Sequence, residues 1–236
     1  MKQKLDKLVR NLRGNTHAQI ALCCIGVAFV FLVSALLPLL VQDKAEPADA
    51  VELGMRQRSA VYLRYSAGGT GCTVETRTAE ELSAEEAAVS ETALTALKDA
   101  FVVDREDGAV TSEGTEYLTI TYGEETIRVC HYYREWSGDW GNWMEAYLDA
   151  DHGDLYYLYV SSQRRENVDY SNVRMNNRAN AERLTEVAGY ELVSFAETNA
   201  NTATAVYLTE RSAAKYTMSC IYHVNNLLDI KFTVVE

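Results

Sequence analysis

The sequence predicts an α+β fold displayed behind a single N-terminal transmembrane helix, and three observations carry that expectation. Residues 18–41 form an apolar run without a single charge. A helix-start signature at Ser83–Glu86 is followed by four short runs of alternating apolar and polar residues. A second helix candidate at about Ala181–Ala188 is followed by four more such runs, and alternation with period two is the mark of half-buried strands.

The apolar run reads AQIALCCIGVAFVFLVSALLPLLV, 24 residues in which only Gln19 and Ser34 are polar. About 20 apolar residues cross the hydrocarbon core as a helix, the form that satisfies its own backbone in lipid. Lys2, Lys4, Lys7, Arg10 and Arg13 precede it, whereas Lys44 alone follows closely. This asymmetry puts residues 1–17 in the cytoplasm and the remainder outside, with the bilayer itself as the partner of residues 18–41. A cleavable signal has a shorter apolar core. Ala48-Asp49-Ala50 matches a cleavage tripeptide but ends nine residues past Val41, so the run reads as an anchor. Cys23 and Cys24 are then filler within the span.

The charge is divided just as sharply. The chain carries −12 in total while residues 1–17 carry +4, which leaves −16 on the remainder. So acidic a surface repels phosphate backbones and excludes nucleic acid as a partner. With 47% hydrophobic residues and only 2 prolines, the exported part has the composition of a folded protein.

Residues 42–69 connect the anchor to that part as a juxtamembrane linker. Its first portion, QDKAEPADAVE, is charged and carries Pro47, while residues 53–65 favour a helix because Gly54 and three arginines interrupt any alternation. The first α+β unit covers residues 70–162. It opens with a Gly-rich turn and a strand at Cys72–Arg77. Ser83-Ala84-Glu85-Glu86 is a capping box, and Val89, Ala93, Leu97, Ala100 and Phe101 make one apolar stripe on the helix that follows. Strands are expected at 117–122, 126–133, 143–148 and 155–160, joined through Gly123-Glu124 and Asp149–Asp154. The second unit, residues 163–236, holds the helix ended by Gly189 and strands at 191–195, 204–208, 216–222 and 228–235. The repeated order suggests a duplication without residue-level similarity. A strand, a helix and four strands over residues 70–162 resemble the cystatin-like and PepSY-like topologies, in which a helix lies across a curved antiparallel sheet. The resemblance implies a small binding or regulatory module.

Few residues offer chemistry. Cys72, Cys130 and Cys220 allow one disulfide of open pairing or three buried thiols. Asp149, Asp151 and Asp154 open like a calcium loop, yet Val160 stands where the closing glutamate belongs. Trp136, Trp140 and Trp143 are the only tryptophans and lie in one loop and strand start. Exposed, they would stack on sugars or anchor a partner; buried, they would cap the core. His131 and Cys130 are strand neighbours and point to opposite faces. No nucleophile elbow, phosphate loop or zinc-protease motif occurs, and no cofactor is implied. These observations predict a non-catalytic interaction or sensory module at a bacterial cell envelope, working with an envelope or membrane protein. The alternative is a cell-wall glycan binder or hydrolase using Trp136–Trp143 with Asp139 and Glu145. Open sheet edges offer a third route, self-association by strand addition.

Overall fold

The computed structural model describes residues 54–102, 109–136, 142–163, 175–209, 212–223 and 227–235. The expected anchor at 18–41 and the cytoplasmic tail lie outside these residues; among the described residues, no helix is long and apolar enough to cross a membrane. In chain order the elements are α1 (Met55–Ser66), β1 (Cys72–Arg77), a short 3-10 turn (Ala79–Glu81), α2 (Ala84–Phe101), β2 (Val110–Tyr122), β3 (Glu125–Trp136), β4 (Asn142–Asp149) and β5 (Leu155–Gln163). They continue with α3 (Asn177–Ala188), β6 (Glu191–Asn199), β7 (Thr202–Leu208), β8 (Ala213–Tyr222) and β9 (Leu227–Val234).

All nine strands join one antiparallel sheet in the order β1-β2-β3-β4-β5-β9-β8-β7-β6. A helix followed by a four-stranded meander occurs twice, as α2 with β2–β5 and as α3 with β6–β9. The two meanders meet where β5 pairs with β9, in a register that runs from Tyr157 opposite Thr233 to Gln163 opposite Leu227.

Period two sends alternate side chains to opposite faces, and both faces are used. Cys130, Tyr132, Met144, Ala146, Leu158, Val160, Met218, Ile230 and Phe232 share one face through the pairings of β3, β4, β5, β9 and β8, and all are buried. Helices α2 and α3 cover this face: Phe101 meets Phe232 edge-on at 5.5 Å, and the Tyr207 hydroxyl donates to the Ala181 carbonyl at 3.1 Å. The opposite face carries Leu118, Ile120, Ile127 and Val129 at the β2–β3 end, all buried. Helix α1 packs there, against β2 and β3, and reaches β8 at its start, where the Met55 N–H donates to Ser212 Oγ. Beyond α1, along β5, β9, β8 and β7, this face is half-buried and polar, with Tyr157, Tyr159, Thr233, Thr217 and Thr204 in line.

The local signals account for the helices. Ser83 Oγ accepts from the Glu86 N–H, and the Glu86 carboxylate accepts from the Ser83 N–H. Glu86 also receives Arg77 at 2.6 Å and Arg128 at 3.2 Å. Helix α2 buries Ser90 and Leu94 beside the expected Leu97, Ala100 and Phe101, while the expected Ala93 packs half-buried against the core and Val89 is only half-buried. Helix α3 starts at Asn177, earlier than expected, because the Asn176 side chain accepts from the Ala179 N–H. It ends at Gly189, whose φ of +68° suits a residue without Cβ. Strand β2 begins at Val110, seven residues before the expected strand. Its polar first half pairs with β3, and Tyr133 occupies the space where a Cβ on Gly114 would project.

Candidate functional site

Where α1 ends over the open face, a cleft of about 510 Å³ is lined by Tyr62, Tyr65, Ser66 and Gly68 from the α1 side and by Glu145, Tyr147, Tyr157, Lys231 and Thr233 from the sheet. The sheet side follows from register: Glu145 pairs with Tyr159, Tyr147 with Tyr157, and Tyr157 with Thr233. Period two therefore places these side chains, with His131 and Tyr133, on one surface. The α1 side follows from helical spacing, since positions three apart share a face. Tyr62 and Tyr65 are such a pair, with ring centroids 6.2 Å apart.

The rings surround the cleft at varied tilts, Tyr62 to Tyr147 at 5.6 Å and Tyr147 to Tyr157 at 6.0 Å. Below them Tyr62 stacks on Tyr156 at 4.9 Å, and His131 stacks on Tyr147 at 4.2 Å. Stacked and tilted aromatic pairs fix ring positions, so the walls are preorganised.

Glu145 is the acid of the cleft. Its Oε1 lies 3.1 Å from His131 Nε2 and accepts from the Tyr147 hydroxyl at 3.3 Å. The hydrogen bond from His131 holds its carboxyl below the usual range against the desolvation that opposes it. On the far side of the imidazole, Nδ1 lies 3.4 Å from Glu116 Oε2. Burial raises the tyrosine phenols, Tyr157 to about 12, with Glu145 adding to the effect. The base of the cleft is thus one carboxylate among neutral phenols. At the rim the Lys231 ammonium sits 5.3 Å from the Tyr157 ring centroid.

No protein-family model, curated protein or solved structure matches this chain. Its site is therefore read from its own geometry.

The residues singled out by sequence fall in several places. Trp143 lies on the cleft's face and stacks on Tyr133 at 6.4 Å. Trp136, by alternation, faces the α2 side, where it is buried and Arg134 lies 4.7 Å from its ring centroid. Trp140 and Asp139 lie outside the described residues. The described tryptophans are thus not brought together.

Asp149, Asp151 and His152 each place one donor atom within 4.8 Å of the others. Asp149 is a buried hub, however, ion-paired with Arg58 at 2.7 Å and accepting from the Tyr156 hydroxyl at 2.6 Å, His152 Nδ1 at 2.9 Å and two backbone N–H groups. Asp154 takes the same Arg58 and the Tyr190 hydroxyl, and Asp151 takes Arg128. Arginine supplies the positive charge that a loop cation would bring.

Cys72, Cys130 and Cys220 lie on β1, β3 and β8 and form no disulfide among the described residues. Cys72 stands level with Tyr122 and Glu125, a whole strand away and five residues along from Cys130. A disulfide needs Cα atoms within about 7 Å, which these positions exceed. Burial pushes Cys130 and Cys220 up to about 11.

Sequence reasoning missed Tyr62, Tyr65, Tyr147, Tyr157 and Lys231. The available signal was tyrosine recurring at same-face positions of adjacent strands, together with the 62/65 pair on α1. That pair sits in the segment expected to serve as a linker.

Proposed function

We propose that this chain is a single-pass membrane protein that displays a non-catalytic binding and sensory module on the outer face of the cytoplasmic membrane, with its ligand seated in the tyrosine cleft. The cleft itself carries this reading: rigid aromatic walls converge on a single ionised carboxylate, the composition of a recognition pocket. His131 fits a supporting role. Its nitrogens face Glu145 and Glu116, and Cys130, its strand neighbour, points to the other side of the sheet. The cleft borders α1, the first of the described elements, so an occupied cleft stabilises the described element nearest the apolar run in sequence. The signal of such a module passes through a membrane or envelope partner.

Paired C-terminal reporters, one active only outside the cell and one only inside, test the topology. Activity of the outside reporter is expected, and activity of the inside one would refute the reading. Crosslinking in intact cells should then recover a membrane or envelope protein.

A second reading, binding of cell-wall glycan, is favoured by Trp143, which shares the cleft face with Glu145 and stacks on Tyr133. Retention on insoluble cell wall that is lost in Trp143→Ala would select it over the first.

A further inference from the structure

Three features of the cleft remain without a role in the fold. Tyr62 is only 3% exposed, yet its hydroxyl takes no hydrogen bond among the described residues, while its side chain lines the cleft. Glu145 is bonded by His131 and Tyr147, and neither an arginine nor a lysine is among these partners. Lys231, at the opposite rim, forms no ion pair among the described residues and rests against the Tyr157 ring.

The arrangement contrasts with that around Asp149, where Arg58 answers the buried carboxylate directly. In the cleft, the acid, the free hydroxyl and the cation face a common space without meeting. A primary ammonium complements the first two, since its three N–H donors suit a carboxylate and a phenol oxygen at once. Tyrosine faces around it add cation–π attraction. An anion a few bonds away complements the lysine.

We propose that the cleft binds a small zwitterion, its primary ammonium against Glu145 and the Tyr62 hydroxyl and its anionic group against Lys231. The proposal rests on the reading of the cleft as the ligand seat. Free amino acids and ethanolamine-phosphate head groups share this chemistry, the one soluble and the other also lipid-borne.

The full chain in phosphatidylglycerol nanodiscs is titrated calorimetrically with γ-aminobutyrate and phosphoethanolamine. Two isosteres that each lack one charge, butylamine and pentanoate, and the neutral sugar glucose serve as comparisons. At least one zwitterion is expected to bind roughly tenfold more tightly than either isostere, the scale of one lost charge-assisted hydrogen bond. Glu145→Gln should erase the advantage over pentanoate, and Lys231→Met, on an exposed position, the advantage over butylamine. Tyr62→Phe should weaken the ammonium-bearing probes by a factor of about three to ten, the worth of one hydrogen bond.

Repeating the titration in phosphatidylethanolamine nanodiscs separates the sources. Lost γ-aminobutyrate binding there means the lipid head group is the ligand; unchanged binding means a free solute. Both outcomes support the zwitterion. Binding of neither zwitterion, or equal affinity for pentanoate, overturns it. If glucose binds in their place, the cleft remains a ligand seat and only the ligand class fails. A chain whose C-terminal reporter is cytosolic defeats the wider reading independently of this titration.

Discussion

At the scale of single residues, the buried charges decide how the molecule responds to substitution and acid. Arg58 is 3% exposed and holds Asp149 and Asp154 together. Removing it strands two carboxylates in a low-dielectric site, so Arg58→Met should cost about 3–5 kcal/mol in denaturant unfolding. A loss under about 1 kcal/mol would mean that water enters the site freely. Glu86 sets the acid response. Its partner Arg77 lowers it from 4.5 to about 2 in the folded state. A depressed carboxylate adds stability above its unfolded value and loses it as the pH falls through the folded one. Stability should therefore decline from about pH 5 toward pH 2, and Glu86→Gln should flatten that decline while lowering stability at neutral pH. Asp154 is shifted the opposite way by burial, so its protonation offsets part of the loss. The thiols give a further check. Half-buried Cys72 should alkylate in the native protein at pH 8, whereas Cys130 and Cys220, buried and raised to about 11, should react only after unfolding, as read by peptide mass.

At the scale of elements, most of the architecture was legible because each signal was local. The Ser83 capping box, the Gly189 stop, the Gly123 turn and the alternating runs all depend on neighbours within a few residues. What was not legible depends on distant partners. The first half of β2 looks like a polar loop, since Val110–Glu116 earns its strand conformation from β3 alone. Helix α1 was expected within a linker, yet Met55, Arg58, Val61 and Tyr62 are buried. Its apolar face is hard to see in sequence because a buried arginine is part of it, answered by two aspartates more than ninety positions away. The same long range hid the cleft, whose walls come from α1, β4, β5 and β9. Hydrogen exchange tests the status of α1: its amides should be protected to a degree comparable with β3, and exchange as fast as an open linker would remove it from the core.

At the scale of the whole molecule, the strand order matters more than any single contact. Strand β9, the last of the nine in sequence, lies in the middle of the sheet between β5 and β8. Ending the chain just before Leu227 should therefore destroy cooperative unfolding altogether, because neither meander then has its neighbour. Retention of a sharp thermal transition in that truncation would show two independently stable halves. The seam also orders events in time. While the polypeptide is delivered N-terminus first, β5 and β8 present unpaired hydrogen-bonding rims until the final segment arrives to fill the gap. The sheet is thereby closed like a keystone arch, and a product of premature termination would be recognisably unfinished to any protease that patrols its compartment.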